Sequence, residues 1–268
     1  MKHEDFFRNH PVFTVEEFRR HMSSRGEVGE RATEAILAYY RKTGRIVTVR
    51  RGLYAVIRAG SFDHTYPIDL FLVTSKLAPD AVLSHHTALE FYGRSYSVHT
   101  RFIYSATRPT KLFTFRSHVF QGTKFPKALL RAGKELMEVS TKERAGLNLH
   151  VTSLERTLVD VLDRPDLSGS WEEIWRSLES VEFFDLDRVM EYAITLGNRT
   201  TGAKVGFFLE QHRETLMVEE SHLKALQDLR PRQPHYLDRT KRQSGRFISR
   251  WNLVVPSTVI EGKWGEVL

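Results

Sequence analysis

The sequence contains no cysteine in its 268 residues. Disulfides, thiolate metal centres and a cysteine nucleophile are therefore excluded. No apolar run reaches the roughly 18 residues that a membrane-spanning helix needs. Met1-Lys2-His3-Glu4-Asp5 is charged, with no apolar stretch behind it, and does not read as a secretory signal. A phosphate-cradling Gly-rich loop, a Gly-x-Ser-x-Gly turn and a His-Glu-x-x-His zinc motif are all missing. Internal repeats and low-complexity tracts are missing too. With 41% hydrophobic and 27% charged residues, what remains is a globular chain with no membrane partner, expected in the cytoplasm.

What the chain does have is basic charge in two places. The net charge is +7. Residues 1–60 carry twelve Lys/Arg against seven Asp/Glu, and residues 230–251 carry seven against one. The stretch between them is slightly acidic. Such asymmetry points to a polyanion-binding end joined to a body with another task.

The first sixty residues have a legible order. Phe6 or Phe7 is expected to be buried by a short helix that ends at His10-Pro11. Thr14-Val15-Glu16-Glu17 is a capping box, and Val15, Phe18 and Met22 behind it form a one-sided stripe. A second helix is expected from about Gly29 to Thr43, its buried face centred on Ile36 with Ala32, Tyr39 and Tyr40 alongside. Gly44 stops it. The β-branched and aromatic runs 46–49 and 53–57 are separated by Arg50-Arg51-Gly52 at hairpin spacing.

Helix, turn, helix and arginine-tipped hairpin is the order of a winged helix-turn-helix. In that arrangement the second helix enters the major groove of double-stranded DNA and the wing reaches phosphates. The candidate DNA-binding residues are Arg25, Arg31, Arg41, Arg45, Arg50 and Arg51. Glu27, Glu30 and Glu34 oppose phosphate and argue against this reading. The bland alternative is a small α+β domain that makes protein contacts.

The body, residues 67–268, follows a linker at 61–66. It reads as a mixed sheet followed by a helix-rich half. Strands are expected at 100–107, 112–121, 136–140 and 147–151, with a return strand at 246–256. Helices are expected at 67–77, 85–92, 171–180, 186–196, 202–216 and 219–228, and one more behind a capping box at Thr152-Ser153-Leu154-Glu155. The fold class is α+β: an N-terminal winged helix (1–60) and a larger mixed domain.

Three segments in order carry a family resemblance. They are Arg50-Arg51-Gly52-Leu53-Tyr54-Ala55-Val56; Leu83-Ser84-His85-His86-Thr87-Ala88-Leu89-Glu90 followed by Gly93; and Val151-Thr152-Ser153-Leu154-Glu155-Arg156-Thr157-Leu158-Val159-Asp160. Together they resemble the AbiEi-type antitoxins, transcriptional regulators of bacterial abortive-infection toxin–antitoxin operons. The resemblance spans nearly the whole chain. It implies a DNA-binding autorepressor acting at inverted repeats, and a C-terminal domain that counteracts a nucleotidyltransferase-like toxin from the same operon. It implies no catalytic residue, metal or cofactor. The residues of the two body motifs read as architecture: Ser84 and Gly93 as helix caps, Arg156–Asp160 as an i,i+4 pair.

The opposing reading is a metal-dependent nucleic-acid enzyme. Gly169-Ser170 and Asp185-Leu186-Asp187 mimic pieces of a nucleotidyltransferase, but both stand where helix N-caps belong. His86 and Glu90 share a helix face at i,i+4, yet the sequence shows no third ligand for a metal. In the basic segment 230–251, Tyr236, Phe247 and Trp251 alternate with arginines, which would suit stacking on single strands or RNA. A solvated loop followed by a strand whose aromatics are core is the preferred explanation, and a surface for an acidic partner is a third use.

Overall fold

The computed structural model describes residues 3–26, 29–58, 60–61, 66–238, 245–262 and 264. Most of the linker at 61–66, Glu27, and Arg239, Lys241 and Arg242 of the basic segment lie outside the described residues. The chain divides into two compact α+β units that interleave along the sequence. The first comprises 1–83, 100–124 and 141–151; the second comprises 84–99, 125–140 and 152–268. Residues on both sides of the linker, up to 83, thus belong to the first unit. Among the described residues no helix is long and apolar enough to cross a membrane.

The first unit begins with α1 (Glu4–Asn9), β1 (Val12–Thr14), α2 (Val15–Ser24), α3 (Glu30–Lys42), β2 (Ile46–Arg50) and β3 (Leu53–Val56). Its strands form an antiparallel sheet in the order β1-β3-β2. The capping box starts α2 as the sequence indicates: the Glu17 amide donates to Thr14 Oγ1 at 3.2 Å, and the Thr14 amide donates to Glu17 Oε2 at 2.8 Å. Phe6 and Phe7 are both buried, packed with Phe13, Phe18, Met22, Leu37, Tyr40 and Ile46. Phe7 meets Tyr40 edge-on with centroids 4.8 Å apart, a favoured aromatic geometry. Gly44 (φ 68) ends α3 in the left-handed conformation, and the Arg45 amide closes back on the Tyr40 carbonyl at 2.9 Å.

Further along lie α4 (Leu70–Ser75), β4 (Val82–Leu83), α5 (His86–Phe91), β5 (Arg101–Ala106), β6 (Phe113–Phe115), β7 (His118–Lys124), α6 (Lys127–Ala132), β8 (Val139–Arg144) and β9 (Leu147–Thr152). A six-stranded mixed sheet runs β6-β7-β5-β4-β9-β8. The strand expected over 112–121 is a hairpin instead. Arg116 and Ser117 turn the chain with φ of 46 and 34, a conformation that no glycine advertises. α6 carries too short an apolar pattern to be foreseen.

The second unit gathers α5, α6, α7 (Leu154–Asp163), α8 (Trp171–Glu179), α9 (Leu186–Leu196), α10 (Arg199–Gln211) and α11 (Glu220–Leu229). A small sheet follows, with β12 (Leu253–Pro256) between β10 (His235–Tyr236) and β11 (Gly245–Ile248), and then α12 (Ser257–Glu261). The strand expected over 246–256 is therefore split, turning at Asn252 (φ 50). Trp251 is fully buried, its indole donating to Glu210 Oε2 at 2.6 Å. Gly206 makes room for that ring, since a Cβ there would fall 2.2 Å from it. Two caps differ from expectation. Ser153, not Thr152, caps α7, and His85 rather than Ser84 precedes α5.

One buried polar network holds α7, α9 and residues 135–137 together. Arg156 is fully buried. Its Nε donates to Asp160 Oδ2 at 3.2 Å, and Nη1 donates to the Glu135 and Met137 carbonyls at 2.8 and 2.7 Å. The Tyr192 hydroxyl donates to Asp160 Oδ1 at 2.6 Å. Removing one partner of such a pair strands a buried charge. Arg156→Ala should therefore destabilise the protein by roughly 3–5 kcal/mol. Tyr192→Phe should cost about 1–2 kcal/mol. Denaturant midpoints of the two variants check the order; equal, small shifts would contradict it.

Candidate nucleic-acid interface

Burial along α3 divides it into an inward and an outward face. Thr33, Leu37 and Tyr40 form the buried stripe, and Ile36 sits at its edge. The helix is thus rotated from the face expected around Ile36. Ala32 is exposed, and Tyr39 is 61% exposed. Spacings of four and three residues repeat on one helix face. The stripe opposite Leu37 is therefore Arg31, Ala35, Ala38 and Lys42, all exposed. Cations stand at its two ends, about 16 Å apart at 1.5 Å per residue, with small side chains between. Tyr39 flanks one side of the stripe, and Glu34 and Arg41 flank the other.

The six candidate arginines do not share one fate. Arg31 and Arg41 are exposed on α3. Arg25 is exposed at the C-terminal end of α2, and its own amide bonds the Met22 carbonyl. Arg51 is exposed at the hairpin tip. Arg50 is half-buried, its guanidinium 5.9 Å from the centre of the Phe113 ring. With Arg51, Arg20, Glu16, Glu17, Lys76 and His150 it lines a cleft of about 610 Å³ within the first unit. Arg45 turns inward. Its Nη2 pairs with Glu4 Oε2 at 2.6 Å, Nη1 donates to the Ile57 carbonyl, and the group lies 5.6 Å from the Phe7 ring centre. Arg45 thus fastens α1 to the end of the hairpin and is not free for phosphate.

Sequence reasoning missed Lys42 and Tyr39 on this face. The missed signal was the competing stripe Thr33-Leu37-Tyr40, which places Leu37 inside where the Ile36-centred choice leaves it out.

Elsewhere, the residues weighed as chemistry are tied into local structure. Asp185 caps α9, accepting from the Arg188 amide at 3.3 Å, while the Asp187 side chain is 94% exposed. Ser170 caps α8, accepting from the Glu173 amide at 3.1 Å. In the basic segment, Arg250 pairs with Glu210 at 2.9 Å and with Glu220, and Arg230 donates to the Arg250 carbonyl at 2.9 Å. Trp251 is core, whereas Tyr236 and Phe247 are partly exposed. His86 Nδ1 lies 3.8 Å from Glu90 Oε2. Two further possible metal ligands stand beside it, His99 and Glu173. Their distance along the chain hid them.

No protein-family model and no curated protein matches the sequence. In fold the chain is similar to the crystal structure of the RV2827C protein from Mycobacterium tuberculosis. The TM-score is 0.61 at 17% identity, covering 96% of this chain and 90% of that one. At that identity the likeness concerns the fold alone.

The inward and outward arginines are separable by experiment. Arg45→Ala should cost roughly 2 kcal/mol of stability, because it removes a charge-assisted pair and a bond to a backbone carbonyl. Arg31→Ala should leave stability within about 0.5 kcal/mol of wild type. The bond from Arg45 holds the Glu4 carboxyl below its ordinary value of 4.5. A depressed carboxylate adds stability above its unfolded pKa and loses it as pH falls through the folded one. The gap between wild type and Arg45→Ala should therefore be full near neutrality and narrow below pH 4.5. Thermal melts across pH read both effects.

Proposed function

We propose that the chain is a DNA-binding transcriptional repressor of its own operon and the antitoxin to a nucleotidyltransferase-like toxin encoded beside it. In this reading the first sixty residues are a winged helix, with α3 as the recognition helix and β2–β3 as the wing. The observation that carries it is the exposed stripe Arg31-Ala35-Ala38-Lys42, flanked by Tyr39 and Arg41 and followed by Arg51 at a hairpin tip. Small side chains let a helix approach base edges closely, and cations at both ends meet the phosphates that border a groove. Support also comes from the element order α1-β1-α2-α3-β2-β3, with β1 added to the hairpin edge.

The antitoxin half rests on the resemblance to AbiEi-type proteins. In the second unit, Asp185 and Ser170 serve as helix caps, while Asp187, the other aspartate an enzyme reading would need, is exposed. Inverted repeats would require two copies on DNA.

The DNA contacts expected are Arg25, Arg31, Arg41, Lys42 and Arg51. Five neutralised phosphates give a log–log salt slope on the order of −4.5 on duplex carrying the operon's own upstream repeats. Arg51→Ala should weaken binding to all sequences alike and flatten the slope by about 0.9. The combined Arg31→Ala, Arg41→Ala, Lys42→Ala variant should lose operator binding yet still relieve growth arrest when co-expressed with the adjacent toxin. Fluorescence anisotropy and a plate assay measure the two. Absence of any DNA binding at low salt would overturn the repressor reading, and failure to relieve arrest would overturn the antitoxin reading.

A further inference from the structure

One group of His and carboxylate side chains among the described residues has the spacing of a metal site. His86 Nε2 lies 3.0 Å from Glu173 Oε1, and His99 Nε2 lies 4.0 Å from Glu173 Oε2. Ligand atoms of all three residues fall within 4.8 Å of one another. A zinc ion with ligands at about 2.0–2.2 Å spaces them roughly 3.3–3.6 Å apart in a tetrahedron, so binding would draw the three residues together and splay the two rings. The two imidazole rings stack with centroids 3.5 Å apart and planes within 2°, which sets their edges side by side. His86 and Glu173 are buried; His99 is 27% exposed and offers an ion a way in.

Around these three, the other contacts have the form of an outer shell. Glu173 is held by the Ser97 amide at 3.1 Å, the Ser97 hydroxyl at 2.5 Å and the Ser177 hydroxyl at 3.2 Å. On the far side of His86, Nδ1 faces Glu90 Oε2 at 3.8 Å, and both atoms are buried with no hydrogen-bond partner. A neutral imidazole has one donor and one acceptor. His86 has a carboxyl oxygen near each nitrogen, so with both carboxyls ionised a neutral ring sets one lone pair toward a carboxylate. A cation at Nε2 removes the conflict. The ring then coordinates through Nε2 and turns its Nδ1 proton to Glu90, the carboxylate–histidine–metal arrangement common in zinc proteins.

We propose that His86, His99 and Glu173 form a zinc-binding site with Glu90 as the carboxylate behind His86. Two imidazoles and one carboxylate are a donor set suited to Zn²⁺, and three protein ligands leave a fourth position open. Bound there, the ion ties α5, the segment before β5 and α8 into one cluster within the second unit. Gly169 (φ +102) leaves space for it, because a Cβ there would stand 3.0 Å from both His99 Cε1 and Glu173 Cγ. The site is independent of the DNA-binding reading, and neither stands on the other.

The test uses the full-length chain, stripped with a chelator and titrated with Zn²⁺ by calorimetry and with Co²⁺ by visible absorption. Expected are one ion per chain, a Kd in the micromolar range or tighter and an intense four-coordinate Co²⁺ spectrum. His99→Ala should weaken binding at least 100-fold, and Glu90→Gln about 10-fold, in line with outer-shell effects. Zn²⁺ should raise the melting temperature of wild type and not of His99→Ala. The proposal fails if the stripped protein takes up no ion. It fails equally if His99→Ala binds as tightly as wild type, which would put the ion on other histidines. Should His99→Ala not fold, the wild-type Co²⁺ spectrum decides: a weak six-coordinate band overturns the site.

Discussion

A guanidinium with no access to water has to be neutralised where it lies, and the second unit is arranged around one. Arg156 sits on α7 with its carboxylate partner one turn along, at Asp160. That pair alone leaves donors unmet. Residues 135–137 supply two carbonyls, and Tyr192 on α9 supplies both a hydroxyl for Asp160 and a ring 5.1 Å from the guanidinium. The cost of leaving these groups apart is several kcal/mol, larger than most single packing terms. It fixes how α7, α9 and the approach to β8 meet. Burial, reinforced by the Asp160 charge, also pushes the Tyr192 hydroxyl well above its ordinary range, so it stays a donor.

The same residue type does the opposite on the first unit. Arg45 is drawn in because Glu4 and the Ile57 carbonyl lie within its reach at the base of the hairpin. Arg31 and Arg41 project from α3 because the face that carries them is turned away from the aromatic core. Basic charge counted along a chain does not distinguish an arginine that fastens two segments from one that meets a polyanion. The distinction is made by what lies within reach, and on α3 by the angle of the helix: one residue of rotation moves Tyr39 from core to surface.

Local rules explain which parts were readable. The Thr14–Glu17 box, the Asp185 cap and the Gly44 stop depend on residues three or four apart, and all three stand as the sequence indicates. The α+β character and the run of helices from 154 onward follow from periodicity. Contacts between distant segments were not readable. The turn at Arg116-Ser117 has no glycine, proline, asparagine or aspartate to mark it, and Ser153 takes the cap of α7 while Thr152 bonds Thr157 across the first turn at 2.7 Å. The outward stripe of α3 was half legible: Arg31 and Arg41 were named, while Lys42 and Tyr39 needed the helix to be oriented.

Two buried polar clusters of the second unit, around Arg156 and around His86, differ in a way that bears on function. Around Arg156 the signs alternate: donors meet carbonyls, the carboxylate meets a guanidinium and a hydroxyl, and only Nη2 is left over. Such a network is completed by the protein itself save for that one donor. Around His86 they do not alternate. Carboxylates face both edges of one ring, a second imidazole is stacked on it, and Nδ1 and Glu90 Oε2 are left without partners. Leaving a buried ring nitrogen and a buried carboxyl oxygen without partners costs free energy that a purely structural cluster would shed by exchanging one carboxylate for an amide. The presence of that unmet pair beside His99, whose side chain is 27% exposed, is what the proposed zinc site would account for.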